Sequence, residues 1–291
     1  MGFVAVPICV ALISTLLHLS ASKSSPPHIV FILADDLGWN DVSFHGSDQI
    51  PTPNIDALAY NGVILNSHYS LPLCTPSRAG LLTGKYPIHN GMQQNLILEP
   101  EPWGLPLSEI LLPQYLSGLG YKSHAVGKWH LGFYKKAYTP TARGFSSHFG
   151  FWNGYQDYYS HTVQASFLPY EGYDMRRDLE VAQDARGHYS TDLFTDEAVS
   201  IINRHDPTNS SLFLYLAHLA PHDPNRRKYA AMIWKMDESV GRVMQALKDK
   251  QVLDRTIVIF VSDNGAPTTG IHPNHGSNWP LRGVRRNEFL Q

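Results

Sequence analysis

Three apolar runs limit what this chain can become. His28-Ile29-Val30-Phe31-Ile32-Leu33-Ala34, Leu212-Phe213-Leu214-Tyr215-Leu216-Ala217 and Thr256-Ile257-Val258-Ile259-Phe260-Val261 are continuous and β-prone. None alternates apolar with polar residues, so each suits a strand covered on both faces, as in a parallel sheet. The predicted class is therefore α/β, a mostly parallel central sheet flanked by helices. Every run stops at polar residues. Asp35-Asp36 follow the first, His218 and His222 the second, and Ser262-Asp263-Asn264-Gly265 the third. A shorter strand over Ser123-His124-Ala125-Val126 ends in Gly127-Lys128-Trp129-His130. In open α/β sheets ligands sit beyond the carboxyl ends of strands, which is where chemistry belongs here.

Two adjacent carboxylates repel unless a cation or hydrogen bonds intervene. Asp35, Asp36, Asp263 and Asn264 together offer three carboxylates and an amide oxygen, a hard-oxygen set fit for Ca²⁺ or Mg²⁺. Taken singly, an Asp-Asp or an Asp-Asn-Gly is also what a solvated turn contains. Lys128 and His130 are two apart, so an extended segment would point both side chains the same way. One can bind an anion and the other can move a proton. A solvated Lys and His would read the same.

Helices are predicted over Thr52–Ala59 with Asn54 as N-cap, Leu105–Gly118 with Pro113 starting or kinking it, Thr191–Asn203 and Tyr229–Lys248. The segment from Gly144 to His161 is rich in aromatics, most of them expected in the core and a minority free to stack on a sugar. With 291 residues there is enough chain for a substantial core. A net charge of −2 gives no reason to expect nucleic acid or a strongly acidic partner. Residues 1–22 read as a signal peptide, with small residues at Ser20, Ala21 and Ser22 for cleavage. The apolar stretch falls short of the ~20 residues that spanning a membrane requires. Export to the secretory pathway is the expectation, to a lysosomal or extracellular destination, and Asn209-Ser210-Ser211 then becomes a glycosylation sequon.

The chain has two cysteines, Cys9 in that leader and Cys74. Once the leader is removed, Cys74 has no disulfide partner and is either an inert core residue or a chemically used one. It sits in Leu73-Cys74-Thr75-Pro76-Ser77-Arg78-Ala79-Gly80-Leu81-Leu82-Thr83-Gly84. Pro76 suits the first turn of a helix and Gly84 its end. Cys74 therefore falls at a helix N-terminus, which favours an anion, with Arg78 one turn further on.

Cys74-Thr75-Pro76-Ser77-Arg78 resembles the C-x-P-x-R signature of the sulfatase family, and Gly80-Leu81-Leu82-Thr83-Gly84 its continuation. The resemblance runs from about His28 to Arg282 and takes in Asp35-Asp36, Gly127-Lys128-Trp129-His130, Asp263-Asn264-Gly265 and Asn278-Trp279-Pro280-Leu281-Arg282-Gly283. Asp157-Tyr158-Tyr159-Ser160-His161 is similar to the arylsulfatase B group, which acts on sulfated N-acetylgalactosamine. The resemblance implies an alkaline-phosphatase-like fold and a sulfuric ester hydrolase. It implies that Cys74 is oxidised during export to formylglycine by the formylglycine-generating enzyme. It implies Ca²⁺ on Asp35, Asp36, residue 74, Asp263 and Asn264. One hydroxyl of the hydrated aldehyde attacks sulfur, giving a covalent sulfated intermediate. His222 protonates the leaving oxygen, and His130 then takes a proton so that sulfate is eliminated. Arg78 stabilises the hydrate, and Lys128 and His222 bind the sulfate.

The chain departs from that pattern in three ways. The family has a longer loop before the helix that follows His222. Arg285 stands where a lysine is expected, and arginine is not a simple replacement. The resemblance also covers only the N-terminal part of a full member, so residues 23–291 read as a truncated catalytic domain, C-terminally incomplete, without the smaller C-terminal domain. Two other readings stay open. One is a truncated, inactive binding protein. The other is a metal-dependent phosphohydrolase of the same superfold, against which Cys74 argues.

Overall fold

The computed structural model describes residues 25–166, 168–223, 225–268 and 273–282. The predicted signal peptide, with Cys9, and Arg285 lie outside the described residues. No helix among the described residues is long and apolar enough to cross a membrane.

The strands are β1 His28–Ala34, β2 Tyr121–Lys128, β3 Ser147–Phe151, β4 Thr162–Gln164, β5 Glu171–Tyr173, β6 Arg176–Arg177, β7 Glu180–Val181, β8 Ser211–Ala217 and β9 Thr256–Ser262. The helices are α1 Pro53–Tyr60, α2 Cys74–Thr83, α3 Leu112–Ser117, α4 Ser190–Arg204 and α5 Arg226–Asp249. Seven strands form one sheet in the order β7-β6-β3-β2-β8-β1-β9, and β4-β5 make a separate hairpin. From β3 to β9 every pairing is parallel, and β6 and β7 add antiparallel strands at the far edge.

Two cores flank the sheet. Val30, Ile32 and Ala34 of β1 share one core with Leu212, Leu214 and Leu216 of β8, closed by Phe194 and Ala198 of α4 and Ile233, Met236 and Val240 of α5. The alternate residues Phe31, Leu33, Phe213, Tyr215 and Ala217 face the other core, with Ala79 and Leu82 of α2, Leu116 of α3 and Trp129. Burial on both faces is why β1 and β8 lack alternation. For β9 that expectation is corrected. Among the described residues it pairs only with β1, as an edge strand, and Ile257 is 49% exposed.

Several predicted boundaries move. Only Leu112–Ser117 of the predicted Leu105–Gly118 helix forms, because Pro113 can open a helix but not continue one. Asn54 does not cap α1; its side chain and main-chain N–H donate to Asp237 of α5 instead. α5 starts earlier than predicted, at Arg226, because the Asn225 side chain accepts from the N–H groups of Arg227 and Lys228. β2 is longer than predicted and passes close to β8 at Gly127, where a Cβ would stand 1.9 Å from the Ala217 carbonyl oxygen.

Two histidines tie this fold to pH. His148 faces the Gly127 carbonyl at 3.2 Å, and His218 faces Ser239 of α5 at 3.0 Å. Burial lowers His148 to about 4 and His218 to about 3. Both stay neutral in the fold at pH values where the unfolded chain protonates. Their contribution is therefore intact above about 6.5 and is lost progressively as pH falls toward 4 and then 3. A fall from 6.5 to about 4 or about 3 is worth about 3–5 kcal/mol per group. Urea unfolding between pH 7 and pH 4 is expected to show falling stability, and His148→Gln to flatten that slope.

Candidate active site

Register brings the polar strand ends to one level. Ala34 lies opposite Ser262, Leu33 opposite Ala217, and Gly127 also opposite Ala217. Asp35 and Asp263 therefore follow on neighbouring strands, and Lys128 ends β2 on the other side of β8. The ladder continues one step past the strands, with Asp263 N–H donating to the Ala34 carbonyl at 3.0 Å. Asp36 turns away with φ of 64°, in the left-handed region that Asp tolerates better than most residues.

α2 brings Cys74 to the same point. Cys74 is its first residue, Leu73 offers no side-chain cap, and Gly84 ends the helix with φ of 67°. The Cys74 thiol is wholly buried and lies 3.5 Å from Asp35 Oδ1 and 3.8 Å from Asp36 Oδ1. One donor atom from each of Asp35, Asp36, Cys74 and Asp263 falls within 4.8 Å of the others. Asn264 joins through its amide nitrogen, which donates to Asp36 Oδ1. Its Oδ1 is buried with no hydrogen-bond partner among the described residues. A buried amide oxygen left in that state beside three carboxylates is what a hard cation would satisfy, so the donor set fits Ca²⁺.

Two cations face the carboxylates. Arg78 donates from Nε and Nη2 to Asp263 Oδ2 at 3.1 and 2.8 Å, and from Nη1 to the Lys128 carbonyl at 3.1 Å. Lys128 Nζ lies 2.6 Å from Asp35 Oδ2. All four side chains are fully buried. Burial pushes the Asp35 carboxyl up to about 8; Lys128 pulls it down, while Asp263 and Asp36 push it further up. Burial also works against the charge on Asp263, but Arg78 and then Lys128 outweigh it and hold Asp263 below the usual carboxylate range. For Lys128 burial favours the neutral form, and Asp35 outweighs it, so the ammonium is retained. Were all three carboxylates ionised they would outnumber the two cations, and Asp35 is the one held toward its protonated form.

His222 Nε2 stands 3.1 Å from Asp36 Oδ2, with the Tyr155 ring 5.2 Å away. The chain after His222 runs into α5 within a few residues, and His222 still reaches the carboxylates. His218 points instead into the core under α5, with its Nε2 3.0 Å from Ser239 Oγ. His130 lies beyond the strand argument that paired it with Lys128. β2 ends at Lys128, and His130 has φ of 58°, so strand alternation no longer applies. Its Nε2 lies 3.0 Å from the Ile97 carbonyl oxygen. Asn209 is exposed in a turn before β8. Sequence reasoning passed over Asn274, whose Nδ2 donates to the Asp36 carbonyl at 2.8 Å and so supports the left-handed turn. It lies in a loop with no periodicity to flag it.

The family model described as Sulfatase matches residues 27–290. The chain belongs to the sulfatase family. This sulfatase chain is 45% identical over 281 residues to arylsulfatase J of Mus musculus, covering 90% of this chain and 46% of that protein. It is 34% identical over 279 residues to N-acetylgalactosamine-6-sulfatase of Sus scrofa, covering 88% of this chain and 53% of that one. Among solved structures, Ps i-CgsB superposes with a TM-score of 0.76 at 31% identity, over 88% of the sulfatase chain described here and 62% of the other. In complex with k-i-k-neocarrahexaose the TM-score is 0.77 at 31% identity, over 89% and 62%. The chain spans about half the length of the curated relatives it matches.

Proposed function

We propose that this chain carries the catalytic centre of an arylsulfatase-type sulfuric ester hydrolase acting on sulfated sugars. The observation that carries the reading is the Cys74 thiol, buried at the start of α2 and 3.5 Å from Asp35 Oδ1, among paired acids and bases. Conversion of Cys74 to formylglycine by the formylglycine-generating enzyme would supply a hydrated aldehyde as nucleophile. Asp35, Asp36, Asp263, Asn264 and residue 74 would hold Ca²⁺, in preference to Mg²⁺, and the bound ion would supply positive charge for the ester's non-bridging oxygens. Arg78 and Lys128 add fixed positive charge where negative charge develops. On this reading His222, close to the Asp36 carboxylate, would give a proton to the leaving alcohol, and His130 would take one from residue 74. Arg285, outside the described residues, is the candidate for a further sulfate contact.

Sulfated N-acetylgalactosamine, as in glycosaminoglycans, is the proposed substrate class. The similarity to the arylsulfatase B group and the name of the N-acetylgalactosamine-6-sulfatase relative both support it. Signal-directed entry to the secretory pathway, delivery to lysosome or cell exterior, and a glycan on Asn209 complete the proposal.

Paired aryl sulfate and aryl phosphate substrates test the reaction class, and sugars sulfated at position 4 or 6 test the ring position. Turnover of the sulfate alone is expected. Preference for phosphate would make the chain a phosphohydrolase, and turnover of neither would make it a binding protein. Chelation with EDTA is expected to lower the melting temperature as well as activity, with recovery on adding Ca²⁺. At a free Ca²⁺ concentration 100-fold above Kd the gain is about 2.7 kcal/mol. An unchanged melting temperature would remove the cation from the reading.

A further inference from the structure

His130 is gripped at four points. Its main-chain N–H donates to the Trp152 carbonyl at 3.1 Å. Its own carbonyl accepts from Thr75 Oγ1 at 3.2 Å. Its ring Nε2 meets the Ile97 carbonyl oxygen at 3.0 Å. The ring also lies against Gly154, where a Cβ would come within 2.6 Å of Cε1. Trp152 and Asn153, which lead into that glycine, are held by Asp174. Its Oδ2 accepts from both main-chain N–H groups and the Asn153 amide at 2.7 to 3.1 Å. A non-glycine residue at φ of 58° persists only when its surroundings determine it this strongly.

The contact with Ile97 has a chemical consequence. A carbonyl oxygen only accepts, so the ring nitrogen facing it carries the proton. In the neutral imidazole the basic lone pair is then on Nδ1. What holds Ile97 in place is the Thr75 hydroxyl. It accepts from Ile97 N–H at 3.2 Å while donating to His130 O. One buried hydroxyl, next in sequence to Cys74, thus fixes both the main chain of His130 and the carbonyl that selects its tautomer.

We infer that Thr75 is a positioning residue that sets His130 in the Nε2–H tautomer and leaves Nδ1 as the proton-accepting atom. This rests on the reading of His130 as the base. Thr75→Val keeps the shape and removes the hydroxyl, and Thr75→Ser keeps the hydroxyl. In the full chain, Thr75→Val is expected to lower kcat about 10–100-fold with KM within about twofold, the range typical of lost orienting contacts. Thr75→Ser should restore most of the loss. Rates are expressed per formylglycine found at residue 74 by mass spectrometry, which separates lost positioning from lost conversion. Independently of turnover, ¹⁵N NMR of the wild-type chain, with the His130 signal assigned by its disappearance in His130→Gln, is expected to show protonated Nε2 and bare Nδ1 at neutral pH. An Nδ1–H tautomer, or a Thr75→Val enzyme with unchanged kcat, would overturn the inference. A wild-type chain without sulfatase activity would instead overturn the functional reading, and the tautomer alone would then decide.

Discussion

Cys74→Ala is expected to abolish hydrolysis of sulfate esters, a fall of at least about 10⁴-fold in kcat. Arg78, Lys128, His130 and His222 would all remain, and so would the oxygen cluster. What would disappear is the thiol whose oxidation the proposed reading requires. Cys74→Ser is expected to be almost as inactive, since an ordinary serine lacks the second hydroxyl through which the sulfated group would be released. Neither change should unfold the protein. The Cys74 side chain is small, and its loss removes little buried apolar surface. Matched melting curves with lost turnover are the expected pair of results. Turnover by Cys74→Ala at the wild-type rate would remove residue 74 from the chemistry altogether. In protein from cells that contain the maturation enzyme, mass spectrometry of the residue 74 peptide should show the aldehyde in place of the thiol.

The second large effect is on stability. Arg78→Met is expected to cost about 3–5 kcal/mol, because it strands Asp263 in the interior as an uncompensated charge. The pair is fully buried on both sides, with two hydrogen bonds from the guanidinium to one carboxylate oxygen. Water cannot repair that loss. Arg78→Lys retains charge but gives up the fork, and with it the bond that ties α2 to the Lys128 carbonyl. An intermediate loss is expected for it. Chemical denaturation at neutral pH measures both. A change under 1 kcal/mol for Arg78→Met would mean that Asp263 takes up a proton or finds another partner at little cost.

The fold class was legible because burial on both faces leaves a mark that needs no partner to be seen. β1 was read to the residue and β8 and β9 to within one, because nothing in those runs competes with the strand. The small strands β4 to β7 were not read. They are two or three residues long and owe their form to pairing, which no local pattern carries. β3 was hidden among the aromatics from Gly144 to His161, although Phe149 and Phe151 did prove to be core. In the site, Asp35, Asp36, Asp263 and Asn264 were found from their place at strand tips. His130 was named, but the alternation rule behind its pairing with Lys128 does not reach it, because the strand ends two residues earlier. Asn274 and the link from Thr75 to Ile97 were invisible, since each depends on a contact between segments that share no periodicity.

Asp36 and Asn264 touch across 228 positions of sequence. β9, which leads to Asp263 and Asn264, lies at the sheet margin, with β1 its sole neighbour among the described residues. During synthesis on the ribosome, α2 emerges long before β9. Until β9 docks on β1, Asp263 and Asn264 are not yet beside Cys74, whose side chain is wholly buried in the folded chain. If residue 74 is converted as proposed, an enzyme that acts before β9 pairs with β1 would meet the thiol while Asp263 and Asn264 are still away from it.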